Sequence, residues 1–386
     1  MFFSEVVGQD AIKKQLVQTV RDNRVSHARL FLGPEGAGCL PLAIAYAQYV
    51  NCTARGESEP CGKCPSCIKF KKLAHPDLHF VFPVVRPGSG KAAISDVFIK
   101  EWRETILENP YITYNQWIEK IGSENKQGGI FVDESREILK KLSFKTYEAE
   151  YKVMIIWLVE KMYRDNKAAN TLLKILEEPP EKTLFLLIAE SADHILPTIL
   201  SRTQITRAPK IDTQSLANYL VETRSAASEP CDMEQAFNAA RISNCNLAAA
   251  LNILQSSDEN NFYLEQFIHL MRTAWSVWGK KQAMLDLMAW CDKITQLGRE
   301  KQKAFLVFCL RMIRENFILN CQQPSLAFLT DAENDFSEKF NAFIHPGNVY
   351  QLAEELNKAH YHIEANGNKN LVFMDLACKI VVLMKH

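Results

Sequence analysis

Four cysteines, Cys52, Cys61, Cys64 and Cys67, stand in a C-x8-C-x2-C-x2-C arrangement with glycine and proline in the turns. Thiolates so spaced can converge on a tetrahedral zinc ion at about 2.3 Å, and four sulfurs leave no open coordination position, which describes a structural site. Redox use of the Cys-x2-Cys pairs is the alternative. His75 is close enough to stand in as a ligand, although a histidine before Pro76 is equally explained by the turn. A second chemical candidate is GPEGAGCL, residues 33–40, directly after the short apolar run Leu30 to Leu32. A working phosphate loop needs Gly-x4-Gly-Lys-Ser/Thr: backbone N–H groups cradle phosphates, the lysine neutralises the terminal ones and the hydroxyl holds magnesium. Here Gly33, Gly36 and Gly38 keep the backbone, while Cys39 takes the lysine position and Leu40 the hydroxyl position. Little or no magnesium-nucleotide binding and no hydrolysis are expected. Gly-Lys-Ser/Thr occurs nowhere in the chain, and Gly88-Ser89-Gly90-Lys91 is followed by Ala92 with its leading glycine wrongly spaced.

Such a loop must be carried by a sheet. Val153 to Val159 is an unbroken apolar run of strand length, Ala168, Leu172, Ile175 and Leu176 recur at helical period, and Leu184 to Ala189 is a second run. Pro179-Pro180 stops the helix between them, and Glu177, Glu178 and Glu181 keep the turn solvated. Runs buried on both faces and joined by a helix imply a parallel sheet, whose right-handed crossovers align the residues after each strand along one edge. Ser201 and Arg202 fall just beyond that edge. Leu78 to Val81 adds strand character, and Ile130 to Val132 leads into a helix with Ile138, Leu139 and Leu142 on one face. The insertion between them, about 86–129, carries Phe98, Ile99, Trp102, Ile106 and Leu107, then Tyr111, Tyr114, Trp117 and Ile118. Two amphipathic helices are expected there, packed on the main domain or facing a partner. Beyond Pro209 the pattern is helical to the end, broken at TRSAASEP and at the linker-like QSSDENN.

Composition narrows the function. The chain has 386 residues, enough for two or three domains, and 45 basic residues balance 45 acidic ones. No overall field draws it to polyanions, so contact with nucleic acid would be local or made within an assembly. No apolar run approaches a membrane span and no secretory leader pattern opens the sequence. A cytoplasmic protein is expected, and 11 cysteines in such a chain argue for metal rather than disulfides.

The wording NKAANTLLKILEEPPEKTLFLLIAE, with LPTILSRTQ after it and FSEVVGQDAIKKQL near the start, resembles the gamma/tau and delta-prime family of AAA+ clamp-loader subunits of bacterial DNA polymerase III. The resemblance implies an α/β AAA+-like parallel-sheet domain over 1–209 with a zinc module at 52–67, an all-α lid over 210–257 and an all-α collar over 258–386. The family places an Asp-Glu pair that binds metal and orients water where this chain has Trp157 and Leu158, with Glu160 displaced by two residues. In SNCNLAAALNIL, Ala249 stands where a nucleotide-sensing arginine is expected. Taken residue by residue, the likeness implies a non-hydrolysing stator that binds no ATP itself. Arg202, supported by Ser201, would act as an arginine finger toward a neighbour's nucleotide, or else only pair with a carboxylate at the domain edge. The implied partners are gamma/tau and delta subunits in a hetero-pentamer, with the sliding clamp and primer-template DNA reached through the assembly, in the bacterial cytoplasm and within the DNA-directed DNA polymerase holoenzyme. A gamma/tau-type ATPase motor and a stand-alone zinc-dependent nucleic-acid binder are the rival readings; Cys39, Leu40 and Trp157 oppose the first, neutral net charge the second.

Overall fold

The computed structural model describes residues 1–86, 92–122, 128–162, 166–224, 231–255, 257–280 and 282–385. The glycine-lysine run 88–91 and most of TRSAASEP lie outside them. The chain forms two compact units, Met1–Leu251 and Asn252–His386.

In the first unit, β1 (Ala28–Leu32), β2 (Leu78–Val81), β3 (Lys152–Trp157), β4 (Thr183–Ala189) and β5 (Gln204–Arg207) pair in parallel in the order β2-β3-β4-β1-β5. Leu30 lies opposite Leu187 on one side and Ile205 on the other. Every residue of β1, β3 and β4 is buried. Successive side chains alternate between two cores, as the two-residue strand period requires. Phe31, Val153, Ile155, Leu184 and Leu186 join one core with α1 (Asp10–Arg21) and α2 (Cys39–Val50). Leu30, Met154, Ile156, Phe185 and Leu187 join the other with α6 (Val132–Ser143) and α7 (Asn166–Glu177). The strand missing from the sequence reading is β5: in its QITR only Thr206 is buried, Ile205 is exposed, and the stretch offers no apolar run. Between β1 and β2 lies α3 (Pro65–Lys71), and α8 (Pro197–Leu200) precedes β5.

The insertion folds as α4 (Ile99–Glu108) and α5 (Tyr114–Lys120), and an antiparallel bridge from Val84 to Gly129 closes its base. Of the two readings left open for its aromatics, packing on the domain is what Trp102 and Trp117 do: both are fully buried. Trp102 stacks on Phe82 at 4.2 Å and meets Trp117 at 5.0 Å and Trp157 at 5.1 Å between ring centroids. Rings of this size bury enough apolar area to anchor two short helices that could not fold alone.

Buried Glu134, in the first turn of α6, ties the insertion down by accepting the Ser95 N–H at 2.5 Å. Burial pushes its carboxyl up to about 7, against the opposing pull of the Ser95 N–H. A carboxyl whose folded value exceeds its unfolded one costs stability as pH rises from about 4.5 through 7, and the full cost remains above that. Glu134→Gln should therefore leave urea unfolding unchanged near pH 4.5 and stabilise the chain by on the order of 2–3 kcal/mol at pH 8.

The helices α9 (Thr213–Arg224), α10 (Met233–Ile242) and α11 (Leu247–Gln255) follow β5. The second unit consists, among the described residues, of helices: α12 (Ser257–Ser276), α13 (Gln282–Thr295), α14 (Arg299–Asn320), α15 (Asp331–Phe340), α16 (Val349–Glu364) and α17 (Lys369–Leu383). Phe267, Phe305, Cys309, Met312, Leu352, Phe373 and Ile380 centre its own core. The expected linker QSSDENN is corrected here, because residues 257–261 already belong to α12. Ser-Asp-Glu is the composition of a helix start as much as of a linker.

Candidate functional site

The glycine loop occupies the place where a sheet of this kind binds ligands. After β1 the chain leaves for β2 at one edge of the sheet, while β5 arrives on the other side of β1, so the loop sits at the carboxyl ends of strands where connections diverge. Gly33 N–H donates to Ala189 carbonyl oxygen at the end of β4, 3.1 Å away. Gly36 and Gly38 hold φ of +78° and +87°, conformations that L side chains rarely adopt, and α2 starts at Cys39. Pro41 sits in that first turn, where no helical N–H is lost.

Side chains fill the space a triphosphate would need. The cavity left between the loop, Trp157, Leu158, Glu190 and the insertion segment Pro110, Tyr111 and Ile112 is about 40 Å³, against roughly 300–1,000 Å³ for typical ligand pockets. Cys39 and Leu40 are buried, and so are Trp157 and Leu158. Tyr111 is buried against the loop: its hydroxyl accepts the Val7 N–H at 2.8 Å, and a Cβ added at Gly38 would lie 3.1 Å from its ring. On the other side, Asn246 donates to Glu35 at 3.1 Å, and a side chain at Gly36 would collide with it. Asn246 also caps α11 by accepting the Ala249 N–H at 3.1 Å.

The ionisable side chains lining the cavity are all acids, Glu35, Cys39, Tyr111 and Glu190, and none supplies a cation to phosphate. Desolvation by the protein around it, then repulsion from Glu35 and Glu160, push Glu190 up to about 8, although its side chain still reaches solvent. Glu35 and buried Glu160 are raised as well, by desolvation. The Cys39 thiol is pushed up to about 12, by burial and then by Glu190 and Glu160, so it offers neither a cation nor a nucleophile. One oxygen of buried Glu160 accepts the Glu190 N–H at 2.9 Å just past the end of β4.

The four cysteines come together. Their sulfurs all lie within 4.8 Å of one another, close to the roughly 3.8 Å edge of a tetrahedron with about 2.3 Å zinc–sulfur bonds. The chain winds around them with N–H groups aimed at sulfur: Cys61 N–H to Cys52 at 3.2 Å, Cys64 N–H to Cys61 at 3.3 Å, and Cys67 N–H to Cys64 at 3.4 Å. Burial opposes ionisation of Cys64, but N–H donation from Cys67 and contacts with Thr53 outweigh it and bring the thiol to about 6. A donor set of this kind suits zinc, and Cys52, Cys61, Cys64 and Cys67 would hold it with no position open for chemistry. His75 is outside the group. It is buried, lies tilted against Phe70 at 4.7 Å between centroids and faces Glu148 at 3.3 Å.

Arg202 follows α8 and stands two residues before β5. Because β5 runs parallel to β1, with Gln204 opposite Arg29, Ser201 and Arg202 lie at the amino ends of the strands, not beyond their carboxyl ends as expected from the crossovers. Its guanidinium pairs with Glu177 at 2.8 Å and donates to Thr198 carbonyl oxygen at 3.0 Å, and the Ser201 hydroxyl donates to that same oxygen at 3.1 Å. Both charges of the Arg202–Glu177 pair are partly exposed, so the pair is worth about 0–1 kcal/mol and competes weakly with a stronger anion. Reasoning from sequence missed Glu35, Glu190, Asn246 and the role of Tyr111. Tyr111 carried a signal as one aromatic of the insertion; the glutamates carried none, since isolated acidic residues at strand ends are ordinary.

A family model described as DNA polymerase III, delta subunit matches residues 8–212. The chain is 31% identical over 235 residues to the DNA polymerase III subunit tau of Bacillus subtilis, covering 60% of this chain and 34% of that protein. It is 27% identical over 301 residues to the DNA polymerase III subunit delta' of Haemophilus influenzae, covering 78% and 75%. The chain thus spans about a third or less of the length of the tau and gamma/tau relatives it matches. Among solved structures, a DNA polymerase III gamma subunit-related protein from Thermotoga maritima aligns over 97% of this chain and 99% of its own, with a TM-score of 0.35 and 15% identity.

Proposed function

The chain belongs to the DNA polymerase III, delta subunit family of clamp-loader AAA+ proteins, and on that premise we propose that it is the non-hydrolysing, delta-prime-type stator of a bacterial clamp loader. One observation carries the reading: the phosphate loop has lost its lysine and hydroxyl to Cys39 and Leu40, and Tyr111, Glu35 and Glu190 stand around what remains. A triphosphate with magnesium would meet no cation, no metal hydroxyl and about 40 Å³ of room.

In this reading Arg202 acts outside its own subunit. A guanidinium supplied in trans stabilises the charge that develops on a transferring phosphate, so a subunit without nucleotide is still needed for hydrolysis next door. Glu177 holds Arg202 at the sheet edge until the neighbour's phosphate displaces it, and Ser201 supports the loop through Thr198. The partners are gamma/tau and delta subunits in a hetero-pentamer, with the sliding clamp and primer-template DNA engaged through the assembly. The zinc is structural. The lid over 210–257 and the collar over 258–386 belong to the same proposal, as does a cytoplasmic location; no helix among the described residues is long and apolar enough to cross a membrane.

Identity to tau favours a second reading, an ATPase motor. The test is reconstitution. The isolated chain should hydrolyse no ATP, and motor and delta subunits should lose DNA-stimulated ATPase when it is omitted. Turnover by the chain alone would establish the motor instead.

A further inference from the structure

The insertion does more than fill a disused pocket. We infer that Tyr111 is a built-in strut, a protein side chain that takes the place of a nucleotide in holding the helices after β5 against the sheet. The inference rests on the reading of the glycine loop as a retired nucleotide site. A ligand at such a loop would touch loop and lid together and so couple them; Tyr111 touches both without one. Its ring lies against Gly38 on the loop side, and 6.4 Å from the Tyr219 ring of α9 on the other. Its hydroxyl is fixed by the N–H of Val7, in the segment that leads to Gly8 and Gln9. That segment is itself a bridge: Gln9 donates to Ala37 of the loop at 3.0 Å and to Pro209 beyond β5 at 2.6 Å, and Gly8 faces Ile211 and Asp212.

The strut is held from behind. Pro110 and Tyr111 follow α4 directly, and α4 is locked by fully buried Trp102 in the cluster with Phe82, Trp117 and Trp157. Trp157 occupies a position where the family places a metal-binding carboxylate. The substitution that removes the metal site therefore also supplies the anchor for the element that fills it. A segment held at both ends has one position, whereas a segment held by a dissociable ligand has two. The strut makes the set of the lid independent of ATP concentration, which is what a rigid subunit of a nucleotide-driven machine requires.

Hydrogen exchange by mass spectrometry on the full-length, zinc-loaded chain tests this. Tyr111→Ala should speed exchange in α9 at least tenfold while β3 and β4 keep their protection. Tyr111→Phe should leave α9 protected and expose only the amide of Val7 and its neighbours, because the ring remains and the hydroxyl is gone. If Tyr111→Ala does not fold, Tyr219→Ala removes the opposing ring and should release α9 in the same way. Unchanged α9 protection in the alanine variant that folds would overturn the strut. Adding magnesium-ATP to the unaltered chain separates the two claims: new protection of residues 33–41 would contradict the retired pocket and leave the Tyr111 result standing.

Discussion

Arg202→Ala should slow hydrolysis at the nucleotide site it serves by about 10³-fold or more, the usual range for a guanidinium supplied to a transferring phosphate. In a reconstituted clamp loader the loss appears as a fall in DNA-stimulated ATPase equal to the share carried by that site. Assembly of the subunits and zinc content should not change, because Arg202 is partly exposed and contributes to its own fold a surface ion pair and a hydrogen bond to the Thr198 carbonyl oxygen. Arg202→Lys keeps the charge but not the planar fork, and should recover little. Glu177→Gln is the control: it removes the resident partner at 2.8 Å and should leave the rate unchanged or slightly higher. Equal ATPase for Arg202→Ala and the unaltered protein would remove the finger.

Zinc removal should have the largest effect on the fold. The unaltered chain should carry one zinc per chain by elemental analysis, and Cys67→Ser, at a fully buried position, none. Apparent zinc affinities of such sites are about 10–16 kcal/mol, and binding free energy is folding free energy in a module with so little apolar core. Residues 53–66 should become cleavable by protease. The damage should spread in two directions. Glu59 accepts the N–H groups of Phe3 at 2.9 Å and Ser4 at 2.7 Å, and Phe2 lies against Gly62, so residues 2–4 should loosen with the module. Cys52 follows α2, whose other end carries the glycine loop. A metal-free protein with the same melting temperature and protease pattern would contradict a structural zinc.

The parts of this molecule that announce themselves in sequence are those governed by local periodicity or by fixed ligand spacing. The runs at 153–159 and 184–189 read as strands buried on both faces, and they are, except that the first strand stops at Trp157 and Val159 already starts a 3-10 helix; the four cysteines could only be useful near one another. β5 escaped notice because an edge strand of four residues buries a single side chain, Thr206, and shows no apolar alternation. The linker-like 255–261 misled because helix starts and loops share serine and acidic residues. That Cys39 and Leu40 stand where a phosphate loop carries a lysine and a hydroxyl was plain. What replaced them was not, because Tyr111 reaches the loop through the geometry of the whole insertion, and no pattern in the sequence links it to Gly38. The acidic trio has the same origin: Glu35, Glu160 and Glu190 become neighbours only when β1, β3 and β4 line up.

Titration of the isolated, zinc-loaded chain with magnesium-ATP addresses the central claim most directly. No saturable binding into the millimolar range is the expected result, since the site lacks its cation, its hydroxyl and its room. One equivalent bound at micromolar ATP, lost on Leu40→Asp, would mean that the loop is a working nucleotide site and that the chain is no stator.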